Sequence, residues 1–402
     1  MLFTYKQIQD PIFDIQRQLD FLFNDVWIIA DGIFDAEKLN GNAKLKQIYI
    51  DFGNVDYDPN DPVKKESIGK AAYLFNSSIE NIFKRFAEID DDSFKNKLKQ
   101  QYINNNSIEK LCDDKNIIPV SYNDIAIVYP ELSKDLHSFY YSLYGNYSPY
   151  NLVALGNLSK SLLPKYDVAF MKANTKGICP FCGINLLKGN NHSYKEAYDH
   201  YLPKAMYPFN SLNFQNLAPM CHECNSTYKL TKLPIYNKDP KKIDPLFREN
   251  FRENSFYPYS KVHPNLKFSV KLKTKNIRSI NPSQIEINID AVNIVEKINS
   301  WKRVFGIDER YKALICSKNG GVSWFDLVYD DFENANVLAN VLNPNNYYKM
   351  KLRETAVAPY TDHGFLKGPF LQECKKTGAI PDVWSNWFEQ YWVFKIFFRK
   401  RN

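Results

Sequence analysis

The chain has 402 residues, with 52 Lys plus Arg against 45 Asp plus Glu and a formal charge of +7. Apolar residues are 44% and charged residues 24%, which supplies a sizeable core and excludes a wholly disordered chain. The length suggests two or three domains, and the small positive excess leaves any polyanion partner to be argued from local clusters.

Phe21 to Phe34 is strongly apolar, and Ile48 to Phe52 reads as a short strand. NVDYDPNDPVKK, with Pro59 and Pro62, is a turn-rich break. Ile68, Ala71, Ala72, Phe75, Ile79, Ile82, Phe83, Phe86 and Ile89 then recur at three- and four-residue steps, the mark of one helix face. Asp90-Asp91-Asp92 ends or interrupts that helix, and Phe94, Leu98 and Tyr102 carry the stripe into a second. Asn123 to Tyr144 is another helical stretch, broken at Pro130. Residues 1–165 therefore read as a mainly helical domain.

Residues 166–235 differ in kind: Cys, His, Asn and Pro concentrate, as in a small fold held by metal. Residues 236–264 read as an extended basic linker. In the last expected domain, 265–402, Leu266–Leu272 and Ile285–Ile289 alternate as a strand pair, and Asp290 is placed to cap a helix stopping at Gly306. The expected class is α+β.

Four of the seven cysteines form two Cys-x-x-Cys pairs, Cys179/Cys182 and Cys221/Cys224, with 38 residues between them. Two such knuckles supply four thiolates to one tetrahedral ion, and zinc suits soft sulfur ligands. All four positions being protein, the zinc is structural. Cys112, Cys316 and Cys374 are scattered, which reads as an intracellular, cytoplasmic protein rather than a disulfide scaffold. The opening residues lack a basic start followed by an apolar run, and no membrane span is expected.

Between the knuckles stands Asp199-His200. A carboxylate can hold a hard cation, and an adjacent imidazole can take a proton from water. Neighbours on a regular strand face opposite ways, so the pair needs a strand end or a bulge. Asn225 follows the second knuckle and offers a neutral oxygen to the same cation; Asn216 can tie the loop back and orient His200. Singly, such residues are ordinary surface or turn chemistry; their combination carries the weight.

The features CPFC, DH followed by LPK and YP, NLAPMCHECN and Lys229 together resemble an HNH endonuclease module of the zinc-stapled, ββα-metal kind, over about 50 residues. The resemblance implies that His200 closes the first strand as general base and that Asn216 positions it. Asn225 takes the place where many members carry the name-giving last His, as in an Asn-ending branch. Asp199 and Asn225 would hold Mg²⁺ or Mn²⁺, and the products would be a 5′-phosphate and a 3′-hydroxyl. It also implies nucleic acid as partner, DNA in preference to RNA, and a setting like that of restriction or anti-phage defence nucleases, some of which work beside an ATPase or sensor subunit. The chain itself has no G-x-x-x-x-G-K-[ST] loop.

Lys204, Lys229, Lys232, Lys238, Lys241, Lys242, Arg248 and Arg252 form a basic strip suited to phosphate contacts, with Phe251, Phe256, Tyr257 and Tyr259 able to stack on bases. The alternative is a solvated linker whose aromatics dock on the neighbouring core. Basic Lys395, Arg399, Lys400 and Arg401 end the chain, after an aromatic cluster of Trp384, Trp387, Phe388, Trp392 and Phe394 that suits a subunit interface or a core. The reading opposed to a nuclease is a zinc-containing nucleic-acid-binding or scaffold subunit of a multi-protein complex without catalysis of its own.

Overall fold

The computed structural model describes residues 1–55, 57, 68–144, 148–189, 191–193, 195–239, 242–333 and 344–380. Lys241 and the whole C-terminal basic and aromatic cluster lie outside them. The fold is α+β, and two compact units are distinguished.

The first unit comprises Met1–Phe181, Asn185–His263 and Glu296–Phe305. Its helices are α1 (Asp14–Phe21), α2 (Ala43–Gly53), α3 (Ile68–Ala87), α4 (Asp92–Asn106), α5 (Ile108–Asp113), α6 (Tyr122–Ala126), α7 (Pro130–Ser142) and α8 (Leu163–Ala173), with a wide helical turn over Leu22–Trp27. Along α3, Ala71, Ala72, Phe75, Ile79, Ile82, Phe83 and Phe86 are buried, as the periodicity requires. Asp91 caps α4, its side chain accepting from Phe94 N at 2.9 Å. Pro130 breaks the next stretch by starting α7, where its missing N–H costs nothing.

The expected strand at Ile48–Phe52 is instead part of α2. Asn42 caps that helix through Leu45 N at 3.0 Å, and Leu45, Ile48 and Phe52 are buried at helical spacing. The capping side chain satisfies an orphan N–H and decides an apolar run too short to choose by itself.

The expected boundary near residue 165 is not a unit boundary. Strands β1 (Tyr198–His200) and β2 (Leu217–Pro219) pair antiparallel, and the loop between them is anchored in the helical core. Phe209, at φ +81°, packs its ring 4.9 Å from both Phe23 and Tyr102 and 5.5 Å from Tyr140. Asn105 donates to the Pro208 carbonyl at 3.2 Å, and Tyr122 N donates to Met206 O at 3.1 Å.

Nor are residues 236–264 an extended linker. Tyr236, Phe256, Tyr257 and Tyr259 are buried. Tyr259 donates its hydroxyl to Leu217 O, Tyr201 to Phe256 O, and Tyr257 to Gln215 O at 3.3 Å. These rings dock on the core, which buries apolar area and gives the Tyr257 and Tyr259 hydroxyls backbone acceptors. Helix α9 (Val295–Phe305) completes the unit through Trp301 Nε1 to Phe181 O at 2.6 Å.

The second unit comprises Cys182–Ile184, Pro264–Val295 and the described residues from Gly306 onward. Its hairpin pairs β3 (Lys267–Leu272) with β4 (Ile285–Asp290), Leu272 opposite Ile285. Ile285, Ile287 and Ile289 are buried and the residues between them exposed, the period-two pattern of a half-buried sheet. Helices α10 (Ile307–Cys316), α11 (Gly321–Glu333), α12 (Pro344–Val357) and α13 (Gly364–Lys376) follow, α13 against β3 and α10 against β4. Asp290 ends β4 rather than capping α9, because Asn293 at φ +61° turns the chain between them. No helix among the described residues is long and apolar enough to cross a membrane.

Candidate metal centre and strand-end site

Each Cys-x-x-Cys pair sits in a tight turn. In the first, Gly183 adopts φ +66°, a conformation cheap only for glycine, and Ile184 N reaches Cys182 Sγ at 3.4 Å. Cys179 N donates to Asn185 O at 2.9 Å and closes the knuckle. The second knuckle leads into a helical turn over Cys224–Lys229. All four thiols are buried, with sulfurs within 4.8 Å of one another. A tetrahedral ion about 2.3 Å from each sulfur sets the sulfurs about 3.8 Å apart, and Cys179 Sγ and Cys224 Sγ are separated by 3.8 Å. The cluster can hold a metal ion such as zinc, and it is the one His/Cys/carboxylate cluster of this kind among the described residues.

Strand β1 presents Tyr198 and His200 to the buried side and Asp199 to the half-buried side. The His200 ring is buried: Nε2 lies 2.8 Å from Ser211 O, and the Tyr144 ring stands edge-on at 5.0 Å. A carbonyl only accepts, so Nε2 carries the proton and the lone pair is on Nδ1. Nδ1 has no hydrogen bond among the described residues. Burial pushes the imidazole pKa down to about 3, against the Ser211 carbonyl and with the charges of Lys204 and Lys229 adding to the depression. The ring is therefore neutral.

Asp199 Oδ2 lies 2.6 Å from Lys229 Nζ, and the same ammonium donates to His200 O at 2.7 Å. Burial raises the Asp199 pKa, opposed by Lys229. Lys229 is wholly buried, so its ammonium is a strut between strand and helical turn rather than the free phosphate contact the sequence suggested. Asn216, also buried, accepts from Leu202 N at 2.8 Å and donates to Leu202 O at 2.9 Å, fixing the chain just after β1; it ties the loop, and its amide touches Leu202 rather than the His200 ring. Asn225 is half-buried in the helical turn, its backbone N–H bonded to Cys221 O.

The rest of the basic strip divides. Lys204 is half-buried over the rings of Tyr141 and Tyr144, at 4.7 and 4.5 Å, and burial lowers its pKa. Lys232 and Lys242 are exposed. Arg248 is engaged by Asp124, both carboxylate oxygens at 2.8 Å. Arg252 is buried and donates to the carbonyls of Leu111, Asp114, Ile117 and Ile235, capping the end of α5. Arg248 and Arg252 thus serve internal partners, because the chain there folds inward and buried guanidinium donors must be satisfied. Tyr144 and Ser211, which hold the His200 ring, carry no local sequence signal: a tyrosine just past the end of α7 and a backbone carbonyl are visible only in the fold.

Compared with models of known protein families, with curated proteins and with solved structures, the chain matches none.

Proposed function

We propose that the chain is a metal-dependent endonuclease of the HNH kind, cutting phosphodiester bonds of nucleic acid, DNA in preference to RNA, in a restriction or anti-phage setting. One observation carries the reading. The imidazole of His200, at the end of the first of two paired strands, is held in the Nε2–H tautomer by Ser211 O, leaving Nδ1 as the basic atom. The strand pair followed by a helical turn and framed by four clustered thiols supports it.

In this reading His200 takes a proton from water at Nδ1 once the negative charge of a bound phosphate raises the imidazole pKa that burial lowers; Ser211 and Tyr144 orient the ring, and Asn216 keeps the strand end in place. Asp199 and Asn225 offer one carboxylate and one carboxamide, a donor set suited to a hard cation that keeps several waters. When bound, such a cation supplies charge relief at the phosphate. A cation held there would compete with Lys229 for the Asp199 carboxylate.

The test is cleavage of supercoiled plasmid and of RNA with Mg²⁺ or Mn²⁺, comparing the parent chain with His200→Ala. Loss of a positioned base costs about 10²–10⁴-fold, so the variant should be almost inactive while still binding nucleic acid. Equal cleavage by both removes His200 from the role.

A second reading rests on the buried Asp199–Lys229 pair, an internally satisfied ion pair that needs no metal. It makes the chain a zinc-containing binding or scaffold subunit without catalysis. Nucleic-acid binding with no cleavage under any divalent ion would favour it.

A further inference from the structure

Within the first unit lies a cavity of about 440 Å³, bounded by residues 3–6, by the end of α8 and the turn after it, by the hairpin of the first knuckle, and by His263. Its charged and imidazole groups are Lys6, Lys176 and His263; no carboxylate lines it among the described residues. The three come from separate stretches of chain, and the fold holds their surroundings in place. Asn174 pairs with Lys6 like a strand partner, accepting from Lys6 N at 2.8 Å and donating to Lys6 O at 3.0 Å. His263 Nδ1 lies 2.5 Å from the Thr4 hydroxyl. Lys176 Nζ stands 4.5 Å above the Phe3 ring, and partial burial lowers its pKa.

One feature opposes an anion there: the C-terminal end of a helix carries partial negative charge. One of its last carbonyls is covered, since Asn174 caps Phe170 O through its backbone N–H at 3.0 Å and its side-chain amide at 3.1 Å. Lys6 and Lys176 bring two positive charges to the lining. Phe3, Met171, Ile178 and Leu187 give the lining an apolar part, beside the polar Thr4, Asn174 and Thr175. A cavity of this size, whose lining mixes apolar side chains with two lysines and an imidazole, suits a small ligand with a compact body and an anionic group.

We propose that this cavity binds a nucleoside monophosphate, its phosphate met by Lys6, Lys176 and His263 and its nucleoside body by the apolar side chains. The ligand is either a free mononucleotide or the phosphorylated terminal nucleotide of a strand. The proposal stands apart from the nuclease reading.

Calorimetric titration of the full zinc-loaded chain with AMP, adenosine and inorganic phosphate tests it. AMP should bind one per chain, with adenosine and phosphate each at least about tenfold weaker. The Lys6→Ala/Lys176→Met double variant should lose at least about tenfold in AMP affinity at an unchanged melting temperature, and His200→Ala should lose none. AMP binding unaltered by the double variant, binding abolished by His200→Ala, adenosine equal to AMP, or no heat at about 1 mM AMP would each overturn the proposal. A 5′-phosphorylated oligonucleotide that displaces AMP, where its 5′-hydroxyl counterpart does not, assigns the cavity to strand ends; AMP binding that neither displaces assigns it to free nucleotides.

Discussion

Lys229→Met probes the centre of the strand-end site. The ammonium it removes is wholly buried and serves two acceptors, Asp199 Oδ2 at 2.6 Å and His200 O at 2.7 Å. Removing one partner of a buried pair costs about 3–5 kcal/mol, because the other charge stays behind uncompensated. The Asp199 side chain retains 16% exposure, so water relieves part of that and the lower end applies. The lost bond to the His200 carbonyl adds about 1 kcal/mol. The sum is about 4 kcal/mol for Lys229→Met. Asp199→Asn strands a buried ammonium and should cost about 3 kcal/mol. In the double variant neither charge remains, so the two costs overlap and the coupling energy should be about 2 kcal/mol or more. Urea unfolding of zinc-loaded protein, followed by circular dichroism, measures all four corners of the cycle. Additive costs, or a Lys229→Met penalty below about 1 kcal/mol, would refute the account of Lys229 as a buried strut.

The thiol cluster should bring about one zinc per chain through purification by metal analysis, and Cys221→Ala should lower that content and the melting temperature together. Asn216→Ala leaves Leu202 N and O without their side-chain partner and should cost about 2–4 kcal/mol in the same urea assay; a cost below about 1 kcal/mol would mean water replaces both bonds. Stability should also fall on acidification because of His200. Its folded pKa is about 3 against an ordinary 6.5, so the stabilisation is whole above pH 6.5 and drains away as pH drops toward 3. At pH 5 the loss from this group is roughly 2 kcal/mol. The raised Asp199 pKa acts in the opposite sense, since its folded form takes up a proton more readily than the unfolded chain does. Comparing the pH 7 to pH 5 loss in His200→Gln with that in the parent isolates the histidine, and equal losses would remove it as the cause.

What could be read from the sequence was local. The α3 stripe, the break at Pro130, the alternating β3–β4 pair and the two knuckles each announce themselves within a few turns of chain. What escaped depends on distant partners. Arg248 and Arg252 look like free cations until Asp124 and the carbonyls around α5 come to meet them, and a charge in a sequence carries no record of whether its partner is internal. Phe209 reads as one loop aromatic among many, yet its ring fastens the strand pair to the helical core. Ile48–Phe52 failed for a different reason: a five-residue apolar run fits either period, and the deciding signal was the cap at Asn42.

Lys229 also ties the metal centre to the strand end. The helical turn that begins at Cys224 is only six residues long and ends at Lys229. A turn so short has little stability of its own, because nucleation consumes most of what its few hydrogen bonds return. Its start is fixed by the second knuckle and its end by the buried ammonium beneath β1. Holding the four thiols together therefore does more than close a loop: it sets where Lys229 emerges, and Lys229 in turn holds both the Asp199 carboxylate and the His200 backbone. An ion held by the four thiols would in this way set the geometry around Asp199 and His200 without touching either. On this argument, metal loss should disturb the environment of His200 before the helices of the first unit unfold. NMR of the imidazole during stepwise chelation would reveal that order, and simultaneous loss of helicity and ring signal would contradict it.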